Sequence, residues 1–225
     1  MLTVACVLRS GGVYTAEWVS RLRDGVARNL TLPHRFVCLS DVEVSCERIP
    51  LIGGDYGNTH AAGNGWTVHP RWWSKIELFR TGLFEGTALY FDLDTLIVGP
   101  LDRIASYPHR FTGLADFNSR RFGSGAMAWT GDYSHIWRAF DPGQHIRHYD
   151  TVEPHRGRIG DQAYIEDALG PGGYETFQSL FPGAFVSYKV DRCQDGPPAN
   201  ASVVCFHGRP KQHEITTGWV PAAWR

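Results

Sequence analysis

Thr87-Ala88-Leu89-Tyr90-Phe91-Asp92-Leu93-Asp94-Thr95-Leu96-Ile97-Val98 is the stretch that decides the fold. An apolar run with aromatic residues reads as a buried strand. Side chains two apart on a strand share a face, so Asp92 and Asp94 are expected to project together. Two close carboxylates at the mouth of a hydrophobic sheet do not stay ionised cheaply. A divalent cation relieves that repulsion, and the pattern predicts a metal that in turn holds a phosphate. The alternative is a pair of strand-end carboxylates that cap neighbouring backbone amides.

Working outward, Trp72 through Phe84 has helical spacing, with Trp73, Ile76, Phe79 and Leu83 on one face and Gly86 ending the helix. The chain opens with a strand at Leu2–Leu8, a helix from about Tyr14 to Leu30, and a strand at Arg35–Leu39. Arg48–Ile52 reads as a short third strand. This strand-helix-strand opening predicts a parallel nucleotide-binding sheet. Gly53–Gly65 reads as a glycine- and asparagine-rich loop, either lying over a site or plain surface, without the context of a phosphate-binding glycine loop.

Beyond the central stretch, Leu101–Tyr107 reads as a short helix, and Phe111–Ala115 and Ser124–Trp129 as strands. The loop joining those strands carries Asp116 and Asn118. A helix at Tyr133–Phe140 precedes a His- and Arg-rich loop from His145 to Arg158. Gly160-Asp161-Gln162 opens another helix, and strands follow at Ala184–Lys189 and Ser202–Phe206. With no repeat or linker in view, the expectation is one α/β domain over 1–225, its nucleotide-binding part at about 1–100 and its acceptor side at about 101–225.

Composition bounds the partners. With 43% hydrophobic and 20% charged residues the chain is an ordinary globular protein. A formal net charge of -1 gives no electrostatic reason to expect nucleic acid. The five cysteines are scattered, with no CxxC pair, so neither a disulfide framework nor a zinc or redox motif is read. No leader pattern and no membrane-length apolar segment is seen, which predicts a cytoplasmic protein that meets a membrane, if at all, through its substrate.

His207 ends the apolar strand Val203-Val204-Cys205-Phe206 much as Asp92 follows Phe91. Adding an imidazole to two carboxylates moves the preference toward Mn²⁺, with Mg²⁺ as the alternative. Gly208 leaves the backbone open, and Lys211 offers a point charge for a diphosphate. Taken alone, Asp161 reads as a helix N-cap. His145, His148 and His155 lack the ordered spacing of a zinc site.

The run Ala88–Val98 resembles the Asp-x-Asp region of the family 8 glycosyltransferases, a family that includes glycogenin and bacterial lipopolysaccharide galactosyltransferases. Tyr14, Lys75, Ser124-Gly125-Ala126-Met127, Asp161-Gln162 and His207 with Lys211 follow in that family's order. The resemblance implies a GT-A fold: a Rossmann-like mixed sheet flanked by helices. It implies that Asp92, Asp94 and His207 ligate Mn²⁺ on the diphosphate of a nucleotide sugar, usually a UDP-sugar. Tyr14 and Arg9 would lie near the base, and Gly208 and Lys211 at the phosphates. Lys75, Asp116, Asn118, Asp161 and Gln162 would surround the donor sugar, with Asp161 and Gln162 nearest the anomeric carbon. The acceptor would be a glycan or another hydroxyl compound, and the anomeric configuration would be retained, by same-face attack or through a covalent intermediate. The late element departs from the family pattern, since Gly208 follows His207 directly and Gln212 follows Lys211. Two other readings of the metal-diphosphate features stay open: a nucleotidyltransferase that makes nucleotide sugars, and a non-catalytic nucleotide-sugar binder.

Overall fold

The computed structural model describes residues 1–54, 56, 60–61, 67–68 and 70–225. The strands in chain order are β1 (Leu2–Leu8), β2 (His34–Ser40), β3 (Glu47–Pro50), β4 (His60–Ala61), β5 (Thr67–Val68), β6 (Thr87–Phe91) and β7 (Thr95–Ile97). They continue as β8 (Phe111–Ala115), β9 (Phe122–Thr130), β10 (Glu175–Thr176), β11 (Phe185–Ser187) and β12 (Val203–Cys205). The α-helices are α1 (Ala16–Asn29), α2 (Asp102–Ala105), α3 (Ser134–Arg138), α4 (Pro142–Arg147), α5 (Gly160–Leu169), α6 (Phe177–Leu180) and α7 (Trp219–Ala223).

Seven strands form a mixed sheet in the order β10-β8-β9-β6-β1-β2-β3. β3, β2, β1 and β6 run parallel, and β9 is antiparallel to β6 and to β8. Alternation along β1 explains the layering. Val4, Cys6 and Leu8 face a core shared with Trp18, Val19, Leu22 and Val26 of α1, while Ala5 faces a second core that contains Trp73 and Ile76. The helices therefore cover both faces, as parallel strands require.

The central stretch is not one strand. β6 belongs to the large sheet, whereas β7 belongs to a three-stranded sheet, β11-β12-β7. Asp92-Leu93-Asp94 is the turn between them, closed by Thr95 N donating to Asp92 O at 3.1 Å. The expectation that strand alternation puts both carboxylates on one face is corrected accordingly. Their proximity comes from a handover between two sheets, with Leu93 buried between them at 4% exposure.

Two other expectations are corrected. The helix ahead of β6 is a 3₁₀ helix over Pro70–Phe79 and stops short of Phe84. Trp73, Ile76 and Phe79 recur every three residues, the period at which 3₁₀ side chains eclipse. Gly86 serves another purpose than ending it. Its φ is +83°, and a Cβ there would collide with the Met1 backbone, so only glycine lets the two chains meet at the start of β6. Of the segment from His145 to Arg158, the residues up to Arg156 are helical, with α4 followed by a π turn at His148–Val152 and a 3₁₀ turn at Glu153–Arg156. Asp141 caps α4 by accepting from Gly143 N at 2.9 Å, and Pro142 supplies the first-turn backbone. Of the Gly53–Gly65 loop, most lies outside the described residues.

Candidate active site

Asp92 emerges at the carboxyl end of β6, where its N–H donates to Gly125 O of β9 at 2.9 Å. Lys75, on the 3₁₀ helix, reaches it from one side with Nζ 3.0 Å from Asp92 Oδ1. The same ammonium lies 3.1 Å from Asp161 Oδ2 and donates to Ser124 Oγ at 3.0 Å. The Tyr90 hydroxyl also donates to Asp92. Three elements distant in sequence thus deliver Lys75, Asp92 and Asp161 to one point.

Asp94 faces a second set of partners. Its Oδ2 accepts from the Tyr14 hydroxyl at 3.0 Å and from the Lys211 ammonium, which also donates to Phe206 O at 2.9 Å. Phe206 N donates to Asp94 O at 2.9 Å, which brings the end of β12 against the turn and His207 one residue further on. His207 shares a 2.7 Å hydrogen bond between Nε2 and Ser187 Oγ, and its ring stacks on Phe117 at 5.4 Å. Gly208 has a φ of +67°, and a Cβ there would meet Lys189 Nζ at 3.0 Å. Lys189 is a cation that motif reading passes over, because nothing local marks a lysine in the turn after a short strand.

The electrostatics follow from crowding. Burial pushes the Asp92 carboxyl up to about 6; Lys75 opposes that and Asp94 adds to it. Burial works against the Lys75 charge, but Asp161 and Asp92 outweigh it and hold the ammonium above the ordinary lysine value. Burial and then Lys189 lower the His207 value, partly offset by Asp116 and Asp94, so the ring is held neutral with a lone pair to offer. Tyr14 is pushed up by burial and by the two carboxylates, which keeps it a hydrogen-bond donor.

No family model and no curated protein matches the sequence. Solved structures do match. A structure of an active-site mutant of LgtC is 11% identical, with a TM-score of 0.62 over 98% of this chain and 93% of that one. The galactosyltransferase LgtC in complex with donor and acceptor sugar analogs is 13% identical, with a TM-score of 0.60 over 99% and 91%. The glycosyltransferase GlyE of Streptococcus pneumoniae TIGR4 is 12% identical, with a TM-score of 0.61 over all of this chain and 60% of that one. The chain has the GT-A fold.

Within this GT-A sheet the sequence-derived residues fall into groups. Lys75, Asp92 and Asp161 converge directly, and Tyr14, Asp94 and Lys211 form the adjoining set. Asp161 is not the cap of α5. Ile159 holds that position, and the Asp161 side chain turns to Ser124 and Lys75 instead. Gln162 follows it, half-buried. Asp116 folds its own turn by accepting from Asn118 N at 3.0 Å and Ser119 N at 2.7 Å, which sets Phe117 against His207. Arg9 lies in a separate network at the ends of β1 and β2. It donates to Ser74 Oγ at 3.0 Å and Gly53 O at 2.9 Å, with Glu77 at 3.6 Å and Asp41 at 3.9 Å. A cavity of about 590 Å³ between Tyr56 and Ile146 contains none of the clustered carboxylates.

Among the described residues, no three His, Cys, Asp or Glu side chains form a ready-made metal group. The donor chemistry around Asp94 nevertheless fits a cation. The Lys211 ammonium sits there against the carboxylate and the Phe206 carbonyl, a positive charge already held by oxygens. Asp92 keeps 31% of its side chain exposed, and carboxylate oxygens of this kind suit Mn²⁺ or Mg²⁺.

Proposed function

We propose that the protein is a glycosyltransferase that moves a sugar from a nucleoside-diphosphate sugar, a UDP-sugar in the first instance, to a hydroxyl acceptor with retention. The observation that carries this is the sheet-to-sheet turn of a GT-A fold at which Asp92, Asp94 and Asp161 meet Lys75 and Lys211. In this reading Asp92, Asp94 and His207 hold Mn²⁺, or Mg²⁺ in its place. When bound, the ion supplies Lewis-acid stabilisation of the departing diphosphate.

The protein's own residues do the rest. Lys211 transfers its charge from Asp94 to a phosphate oxygen, where negative charge grows as the bond from anomeric carbon to oxygen breaks. Tyr14, fixed against Asp94, bounds the nucleotide side. Asp161, with Gln162 beside it, faces the sugar, and its carboxylate balances the positive charge that develops at the anomeric carbon. Same-face attack by the acceptor is the favoured route. Glycans, lipid-linked sugars and proteins are the acceptor classes.

Incubation with UDP-sugars and Mn²⁺ tests the reading. Release of free nucleoside diphosphate supports a transferase. Pyrophosphate release from a nucleoside triphosphate and a sugar phosphate contradicts it in favour of a nucleotidyltransferase, and saturable binding without either product contradicts it in favour of a binding protein.

A further inference from the structure

β9 carries an irregularity beside the site. Gly113 of β8 pairs with Met127, but the next residue, Leu114, pairs with Gly123, so Ser124, Gly125 and Ala126 have no partner on β8. Phe122 and Met127 lie in the same core although their positions differ in parity, which is what a bulge between them produces. The bulge turns Ser124 toward the carboxylates, and glycine on each side leaves it the one hydroxyl between them. At Gly125 a Cβ would stand 3.3 Å from Leu114 Cδ1 and in ordinary contact, 3.5 Å, with Asp92 Oδ2.

Ser124 is 2% exposed. Its Oγ lies 2.6 Å from Asp161 Oδ2 and 3.0 Å from Lys75 Nζ. An ammonium only donates, so Ser124 accepts from Lys75 and gives its single proton to Asp161. Such an O–H to carboxylate bond is short and strong. Lys75 divides its charge between Asp161 and Asp92, whereas the Ser124 proton goes to Asp161 alone. Each carboxylate thus has its own hydroxyl donor, Ser124 at Asp161 and Tyr90 at Asp92.

We propose that Ser124 is a positioning residue for sugar transfer: its hydroxyl fixes Asp161 Oδ2 against Lys75 and so sets the direction of the Asp161 carboxylate. This rests on the glycosyltransferase reading. Ser124 acts through Asp161 and not on the substrate, so its loss affects turnover and spares binding.

Steady-state kinetics of Ser124→Ala with a UDP-sugar that the wild type turns over tests this. Loss of one hydrogen bond to a charged group lowers kcat by about 10- to 100-fold. The donor KM stays within about twofold, and the rise in melting temperature caused by UDP with Mn²⁺ is kept. A kcat equal to that of the wild type overturns the role. So does a raised KM at unchanged kcat, which makes the hydroxyl a substrate contact, or loss of the ligand-induced rise, which makes it structural. A wild type that turns over no nucleotide sugar overturns the glycosyltransferase reading itself, and the role of Ser124 with it.

Discussion

Lys75 stands between Asp92 and Asp161, 3.0 Å from the first and 3.1 Å from the second, with only 7% of its side chain exposed. One buried cation thus compensates two carboxylates from opposite sides of the site. Removing one partner of a buried ion pair leaves charge without compensation and costs about 3 kcal/mol or more. Lys75→Met is predicted to lower Tm by about 6–12 °C. Calorimetry of the ligand-free variant checks this, and a Tm equal to that of the wild type contradicts the buried-pair account.

Gly113 is predicted to be needed for the bulge in β9. A Cβ there would collide with the Phe122 ring, and Phe122 is itself buried at 1% exposure. Overpacking of this kind costs about 1–3 kcal/mol. Gly113→Ala is expected to move the urea midpoint down by the corresponding amount, with the slope unchanged. A stability equal to that of the wild type shows that the ring has room to move.

His109 gives the pH dependence a defined sign. It is 1% exposed, with Nε2 2.8 Å from Ile104 O and Nδ1 2.8 Å from Thr112 Oγ1. The carbonyl requires Nε2–H, and burial favours the neutral ring, in which Nδ1 accepts from the threonine hydroxyl. Burial lowers its pKa. The unfolded chain then binds the proton first, and stability falls as pH drops below about 6.5. Urea unfolding between pH 7 and pH 5 should show the wild type losing more stability than His109→Gln. Parallel losses contradict the assignment.

The strands β1, β2 and β6 are legible because they are apolar runs bounded by turn residues, and Asp92 because it closes one of them; Lys75 and Asp161 are legible only through the family resemblance. What is not legible depends on pairing partners. Nothing in Phe91-Asp92-Leu93-Asp94-Thr95 marks a change of sheet, because the run is apolar on both sides and β7 is defined by Cys205↔Thr95 across the molecule. Ser124 gives no signal of its role, since a bulge exists only relative to β8. The 3₁₀ helix does have a readable pattern: Trp73, Ile76 and Phe79 face the core while Ser74 and Glu77, also three apart, face Arg9. Asp141-Pro142 likewise carries a readable cap signal for α4.

The most direct test of the central claim is a thermal-shift measurement with UDP, in the presence of Mn²⁺ and then of a chelator. A ligand at 100 times its Kd adds about 2.7 kcal/mol, or about 5–10 °C for a domain of this size. The account predicts that rise with Mn²⁺, its loss with chelator, and its absence in Asp94→Asn, which keeps the fold. A protein whose midpoint no nucleoside diphosphate moves in a metal-dependent way, or an Asp94→Asn variant that responds like the wild type, contradicts the account.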